Sequence, residues 1–460
     1  MPRGPGLGLL APALLLGVLG AQGLIACRSE SRPLGQQLQD ALDARVRRCD
    51  AHGAAVAVVL PDGTVWEGAG GLSHEAVAMT PEMAFAIGSI TKNMVAAMVL
   101  QLAEEGQLSL EDPISRWLGP YDHVNGDITV RQMLSHTSGL FMFWDNQALW
   151  DDLIRDRSRV FTPEEVLGYL KEPYFAPGEG YHYSNTNYLL AAMIVTRVTG
   201  STLSAEMRRR FWEPLDLESA CLPLEEPYPE NMAHVWGDNF ERGNPIRDLT
   251  LLPRASHDSI TYGSAGVFMT AGDLARWTHA LFGGEVLSPS SLTQMRTFSG
   301  GGSYGLGLQR LGRGFVRWAR AEGHGGGNIG TSSYMVRLPD HGVSMAVMVN
   351  RFGSGCAGEI ARDLGGIVAW HVRPPSVTTI LGSPEGVLAG LWLLAAAGAL
   401  VFAIRKDRPV VLLVFGGPAI AAGWVMRAKG LPVHWVLFPG GGLMLALGAY
   451  KVLRRPAPSR

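Results

Sequence analysis

Ser89-Ile90-Thr91-Lys92 sets a hydroxyl and an amine three positions apart, just after the apolar run Phe85 to Ile87. On a helix that spacing places both side chains on one face, one turn apart. A serine hydroxyl is a poor nucleophile until a neighbour removes its proton. A lysine does this only when partly neutral, which needs burial or a nearby cation. The apolar flanks, Phe85 to Ile87 and Met94 to Leu100, are fit to bury it. A helix start at Ser89 also leaves free N–H groups for a developing oxyanion. S-x-x-K alone recurs by chance, so further chain must supply the rest of the site.

Two later segments carry the right residue types. In "YHYSNTNY", Tyr183-Ser184-Asn185 forms a short polar loop between the Pro/Gly stretch "FAPGEG" and the apolar helix "YLLAAMIVTRVTG". Tyr183 is suited to pass a proton to a leaving group. Asn185 is suited to bond a substrate carbonyl or the lysine, and equally to cap the helix. In "EGHGGGNIGTSSYMV", His324-Gly325-Gly326-Gly327 precedes a strand-like run. Glycines allow close approach to the backbone. Gly327 N–H can complete an oxyanion hole with that of Ser89. His324 can hold a substrate carboxylate or polarise the site.

Other motifs fail their context. "GGSYG" (Gly301 to Gly305) matches G-x-S-x-G around Ser303, but lacks the strand before and helix after that a nucleophile elbow needs. "GGGNIG" (Gly325 to Gly330) has no helix following, which excludes a dinucleotide site. "LSHTSGL", with Ser135, His136 and Ser138, reads as a structural turn before it reads as a second acid–base group. Trp144 and Trp150 fit either a substrate entrance or ordinary packing. His74, His182 and His257 have no metal-ligand spacing, and no metal or organic cofactor is implied.

The elements that position these groups follow from periodicity. "RPLGQQLQDALDARVRRC" predicts an opening helix and "AAVAVVLPDGTVWEGAGG" a β-hairpin turning at Pro61-Asp62-Gly63. An apolar helix runs from near Ser89 to near Gly106. Residues 115–250 are helix-rich. Strand signals return in "YGLGLQRL", "GFVRWARA", "TSSYMVRLP" and "VSMAVMVN", and "GCAGEIARDLGGIVAWHV" predicts a last helix. The expected fold class is α+β: an antiparallel sheet built from both ends, flanked by helices, with a helical insertion.

The 460-residue chain has a net charge of −2, with 47% hydrophobic and 17% charged residues. No basic face for nucleic acid is evident. The apolar excess sits at the ends. Arg3 followed by "GLGLLAPALLLGVLGAQGLIAC" predicts an export signal or anchor over 1–26, and "LIAC" resembles a bacterial lipoprotein box with Cys27 as lipidation site. Gly386–Ile404, Pro409–Met426 and Leu431–Tyr450 are each near bilayer length. They predict three transmembrane helices within 386–450 and contact with membrane lipid. Arg405, Lys406, Arg408 and the basic residues of 451–460 orient the spans, so that the preceding domain lies outside the cytoplasm. The expected organisation is a tether over 27–35, a folded domain carrying these motifs over 36–373, a linker over 374–385, the spans and a cytoplasmic tail over 451–460. Of four cysteines, Cys49, Cys221 and Cys356 remain beside Cys27, and one disulfide is allowed.

Taken together, "AIGSITKNMVAAMVLQLAEEGQLSLEDPISRWLG", "ITVRQMLSHTSGL", "FAPGEGYHYSNTNYLLAAMI" and "YGLGLQRL" resemble, in order, the serine β-lactamase and penicillin-binding-protein family. The resemblance covers about 36–370 and is greatest to the branch with class C β-lactamases, D-alanyl-D-alanine carboxypeptidases and related esterases. It implies a β-lactamase/transpeptidase-like fold with Ser89 as acylated nucleophile, Lys92 as base partner and Tyr183 as proton relay. Asn185, His324, Gly326 and Gly327 then contact substrate. Where that family carries K-T-G, this chain has His324-Gly325-Gly326. Serine acyl transfer on a small peptide, amide or ester is expected, cell-wall D-amino-acid peptides included, while the replacement of K-T-G argues against β-lactam hydrolysis. A non-hydrolytic penicillin-binding receptor and an inactive scaffold are the rival readings.

Overall fold

The structure, a computed structural model, describes residues 32–237, 246–299 and 301–375. The expected export signal or anchor of 1–26, Cys27, the expected spans of 386–450 and the expected tail of 451–460 lie outside the described residues. The described unit runs from Pro33 to Pro374.

Its sheet comes from both ends of this unit. Strands β1 (Gly53–Val59), β2 (Val65–His74) and β3 (Val77–Ala78) lie near the start. Strands β4 (Gln309–Val316), β5 (Ala319–Asn328), β6 (Thr331–Leu338) and β7 (Val343–Val349) lie near the end. The sheet order is β3-β2-β1-β7-β6-β5-β4, and every pairing between neighbours is antiparallel. The β1–β7 join, with Val56 opposite Val347, closes the two halves into one sheet.

Strand β1 is buried along its whole length. Its side chains alternate between two cores, as a period of two requires. Ala54, Val56 and Val58 pack with Leu38, Leu42, Ile360 and Leu364, from helices α1 (Leu34–Val46) and α7 (Cys356–Val372). Ala55, Ala57 and Val59 join a larger core with α2 (Thr91–Glu104) and α6 (Ala271–Gly283). Each fully buried Val or Leu side chain contributes roughly 1.5–3 kcal/mol. Burial on both faces explains why β1 is apolar throughout and β7 is apolar save for Ser344, whose Oγ accepts from Arg337 Nη1 at 2.9 Å.

Between the two strand groups lie α2, the short α3 (Val130–Leu134), α4 (Asn185–Thr199) and α5 (Ala255–Ala265). Helix α2 is buried from Thr91 through Leu100, the mark of a helix apolar on all sides and enclosed by others. Its polar Asn93 is satisfied within the core: Trp277 Nε1 donates to its Oδ1 at 3.0 Å, and its Nδ2 donates to Gly307 O at 3.1 Å. Among the described residues no single helix is long and apolar enough to cross a membrane.

Three local expectations shift. Ser89 lies in a short 3-10 turn, Gly88–Ile90, ahead of α2 rather than on it. The run "GFVRWARA" is not one strand but the end of β4, a tight turn and the start of β5. His324 to Gly327 belong to strand β5 and do not precede the strand run as a loop, because main-chain pairing with β6 does not require side chains.

Candidate active site

Helix α2, its preceding turn, strand β5 and the loop before α4 converge on Ser89. Gly88 adopts φ of 58°. A Cβ on it would lie 2.4 Å from Gly327 N, so both the backbone angle and the closeness of β5 require glycine. Hydroxyls from β6 stitch the segment down: Ser333 Oγ donates to Ile87 O at 2.8 Å and Thr331 Oγ1 to Ala86 O at 3.1 Å. This anchoring brings the backbone of Gly327 against the turn that carries Ser89, the placement that an oxyanion hole needs.

Lys92 is fully buried, and its Nζ stands 3.0 Å from Ser89 Oγ. It donates to Ser264 O at 2.8 Å. That carbonyl lies in the last turn of α5, where carbonyls lack helical partners. The same nitrogen is 4.9 Å from the ring centre of Tyr183 and 5.7 Å from that of Tyr188. Burial drives the Lys92 pKa well below that of a free lysine. Burial therefore favours the neutral amine, the form whose lone pair can accept the serine proton.

Tyr183 packs its ring 4.3 Å from His136. Burial pushes its phenol far above the usual range, against a hydrogen bond with Ser89 that pulls it down. It thus stays protonated and does not serve as a tyrosinate base. Asn185 opens α4, and its buried Oδ1 has no hydrogen-bond partner.

His324 is 1% exposed. Its Nδ1 stands 2.6 Å from Gly325 O, a contact that needs the proton on Nδ1. Its Nε2 then accepts from Tyr304 Oη at 2.9 Å. Desolvation, then the proximity of Lys92, lowers its pKa to about 3. The ring is neutral with both nitrogens engaged. The electrostatics do not favour the carboxylate-holding role and leave polarisation and packing.

Sequence reasoning passed over three participants. Tyr304 lies within the discounted "GGSYG" motif, and there the tyrosine reaches the site while Ser303 is exposed. Ser264 contributes only its carbonyl, which no residue pattern reveals. His136 was weighed chiefly as part of a turn, and it has φ of 58°. Its Nδ1 accepts from Ser184 N at 3.2 Å and Asn187 Nδ2 at 3.1 Å, tying the Tyr183 loop to α3. Burial, then Lys92 and His324, holds its pKa well below the usual value. Trp144 stacks with His257 and accepts on its carbonyl from Trp150 Nε1, a packed segment. Among the described residues no group of His, Cys, Asp or Glu is fit to hold a metal.

Known proteins resemble this chain in sequence and fold. The Beta-lactamase family model matches residues 38–367. A putative penicillin-binding protein, PbpX, of Bacillus subtilis is 28% identical over 50% of this chain and 54% of its own length. A D-aminopeptidase of Brucella anthropi is 28% identical over 77% of this chain and 66% of its own. The chain thus spans about half to two thirds of the length of these curated relatives. The solved structure of a D-stereospecific amidohydrolase from Streptomyces sp. superposes with a TM-score of 0.62 at 30% identity, covering 72% of this chain and 98% of that one.

Proposed function

The chain belongs to the beta-lactamase family, and from that membership we propose that it is a serine hydrolase of amides or esters working through an acyl-enzyme on Ser89. The observation that carries this is the fully buried Lys92 amine 3.0 Å from Ser89 Oγ, its pKa driven down by that burial. Lys92 takes the hydroxyl proton as Oγ bonds to the substrate carbonyl carbon. The carbonyl electron pair moves onto oxygen, where the N–H groups of Ser89 and Gly327 stabilise it. Collapse expels the amine or alkoxide, which receives the proton through Tyr183. Water then attacks the ester, its proton passes to the same pair, and the acid leaves with Ser89 restored.

The neutral His324 narrows the substrate class. No fixed cation stands at that position, so a free carboxylate on the substrate gains nothing there. This favours neutral amides and esters over D-alanyl-D-alanine peptides and β-lactams. The amide-cleaving D-aminopeptidase and D-stereospecific amidohydrolase among the similar proteins support D-amino-acid amides as first candidates.

The location is part of the same proposal. The export signal, lipidation at Cys27 and the three spans within 386–450 would hold the domain at the outer face of the cell membrane. The Cys49–Cys356 disulfide supports it, since such bonds persist in oxidising compartments. Alkaline phosphatase fused after residue 375 is expected to be active, and an inactive fusion would sink the exported reading.

The test of the chemistry is labelling with a fluorophosphonate, followed by turnover of D-amino-acid amides, p-nitrophenyl esters, D-alanyl-D-alanine peptides and nitrocefin. The wild type is expected to take the label at Ser89 and to prefer the neutral substrates. Ser89→Ala should lose both label and turnover, whereas Ser303→Ala keeps them. Undiminished turnover in Ser89→Ala would end the proposal.

A further inference from the structure

Gly327 has a large apolar neighbour on its open side. A Cβ built on Gly327 would lie 2.4 Å from Cε2 of Phe352. Phe352 belongs to the connection between β7 and α7, and it is 55% exposed. Phenylalanine so exposed forfeits most of the stabilisation that burial would give it. Its ring lies against the α-carbon side of Gly327, the residue whose N–H is proposed to hold the oxyanion.

The ring is anchored at both shoulders. Before it, Asn350 Oδ1 accepts from Gly53 N at 2.7 Å, and Ser332 Oγ donates to Arg351 O at 2.7 Å. Arg351 also pairs with Asp50. After it, Cys356 is joined to Cys49. Four residues, Phe352 to Gly355, thus lie between the fixed points Arg351 and Cys356, and the exposed ring is presented by a short, held loop.

The direction of the substrate follows from the chemistry. Four groups surround the tetrahedral carbon: Ser89 Oγ, the oxyanion, the leaving group and the acyl substituent. The leaving group must point to its proton source, Tyr183. That tyrosine clusters with His324, whose ring centre is 6.3 Å away, and with Tyr304 at 5.9 Å. This is the His324 end of the β5 segment. The acyl substituent therefore extends toward the other end, past Gly327, where Phe352 stands.

We propose that Phe352 is a specificity residue for the acyl side of the substrate, forming an apolar wall that selects acyl groups with extended hydrocarbon or aromatic substituents. This rests on the serine hydrolase reading of Ser89. It goes beyond that reading by assigning the acyl-side subsite to a loop outside the sequence motifs.

The test uses p-nitrophenyl esters with one leaving group and acyl chains from acetyl to hexanoyl. For the wild type, kcat/KM is expected to rise with chain length. In Phe352→Ala the hexanoyl-to-acetyl ratio should fall about tenfold, the loss expected when roughly two methylenes lose an apolar partner. Phe352→Leu, which keeps an apolar side chain, should fall between. A second series fixes the acyl group and varies the phenol, and its slope should not change in either variant. An unchanged acyl ratio in both variants overturns the assignment, as does a change confined to the phenol series. A wild type that labels at Ser89 but shows no chain-length preference also overturns it. A wild type that neither labels nor turns over any ester removes the hydrolase reading itself, a separate failure.

Discussion

Tyr304 donates its hydroxyl to Nε2 of His324 at 2.9 Å, while Nδ1 of the same ring meets Gly325 O at 2.6 Å. The imidazole is thereby fixed in one tautomer and carries no charge. Burial and Lys92 reinforce this by lowering its pKa to about 3. A strand position suited to a cation is filled by a neutral, doubly bonded ring. Placing a cation there is a direct test. His324→Lys is expected to shift preference toward substrates with a free carboxylate, read as at least about a tenfold gain in fluorescent-penicillin acylation rate relative to neutral ester turnover. No shift in that ratio would contradict the electrostatic account.

Lys92 should leave a mark on stability as well as rate. Lys92→Ala is expected to lower kcat by about 10²–10⁴, the usual worth of a positioned base. Burial sets the native pKa of this amine well below the unfolded value of about 10.4. Folding therefore releases a proton, and native stability rises with pH up to that unfolded value. Lys92→Met abolishes this term. The melting-temperature difference, variant minus wild type, should be larger at pH 7 than at pH 9.5. An equal difference at both pH values would show a charged amine in the native state.

Two buried histidines predict the acid limb. The folded pKa values of His324 and His136 lie below the unfolded value of about 6.5. Below pH 6.5 the unfolded chain takes up protons that the native state refuses. Stability is therefore present above pH 6.5 and declines as pH falls toward the folded values. Each histidine adds at most about 1.4 kcal/mol per pH unit to this slope. Urea unfolding of His324→Gln between pH 6.5 and 4.5 should show a shallower decline than wild type.

Gly88 unites two demands in one residue, a left-handed φ and contact with Gly327 N. Gly88→Ala should displace the oxyanion donor and lower kcat by roughly 10²–10³. Circular dichroism and binding of a non-reacting substrate analogue should change far less. A variant with near-normal kcat would show that Gly327 does not serve the oxyanion.

The Cys49–Cys356 bond closes a sequence separation of 307 residues. Cys49→Ser should cost about 2–5 kcal/mol in unfolding free energy without reductant. Under dithiothreitol the wild type should fall to the same level. A gap that persists under reduction would mean that the cysteines are unpaired.

Much of this protein was legible from local pattern. The apolar runs of β1 and β7, the hairpin, the opening and closing helices, and the Ser89–Lys92 pair all depend on neighbours close in sequence. Their geometry follows from backbone periodicity. Where reading failed, a distant segment had taken control: β6 pairing drew His324 to Gly327 into a strand, and β5 packing held Ser89 in a tight turn. The Lys92 pKa is set by enclosure, the Tyr304–His324 bond by the return of β5 beside a turn, and the choice of Cys356 as the partner of Cys49 by the docking of α7 on α1. Residue type and spacing therefore determined which groups were available for acyl transfer. Only tertiary packing decided their charge states and the side chain beside the oxyanion, because desolvation and contact belong to the folded surroundings and not to any short stretch of chain.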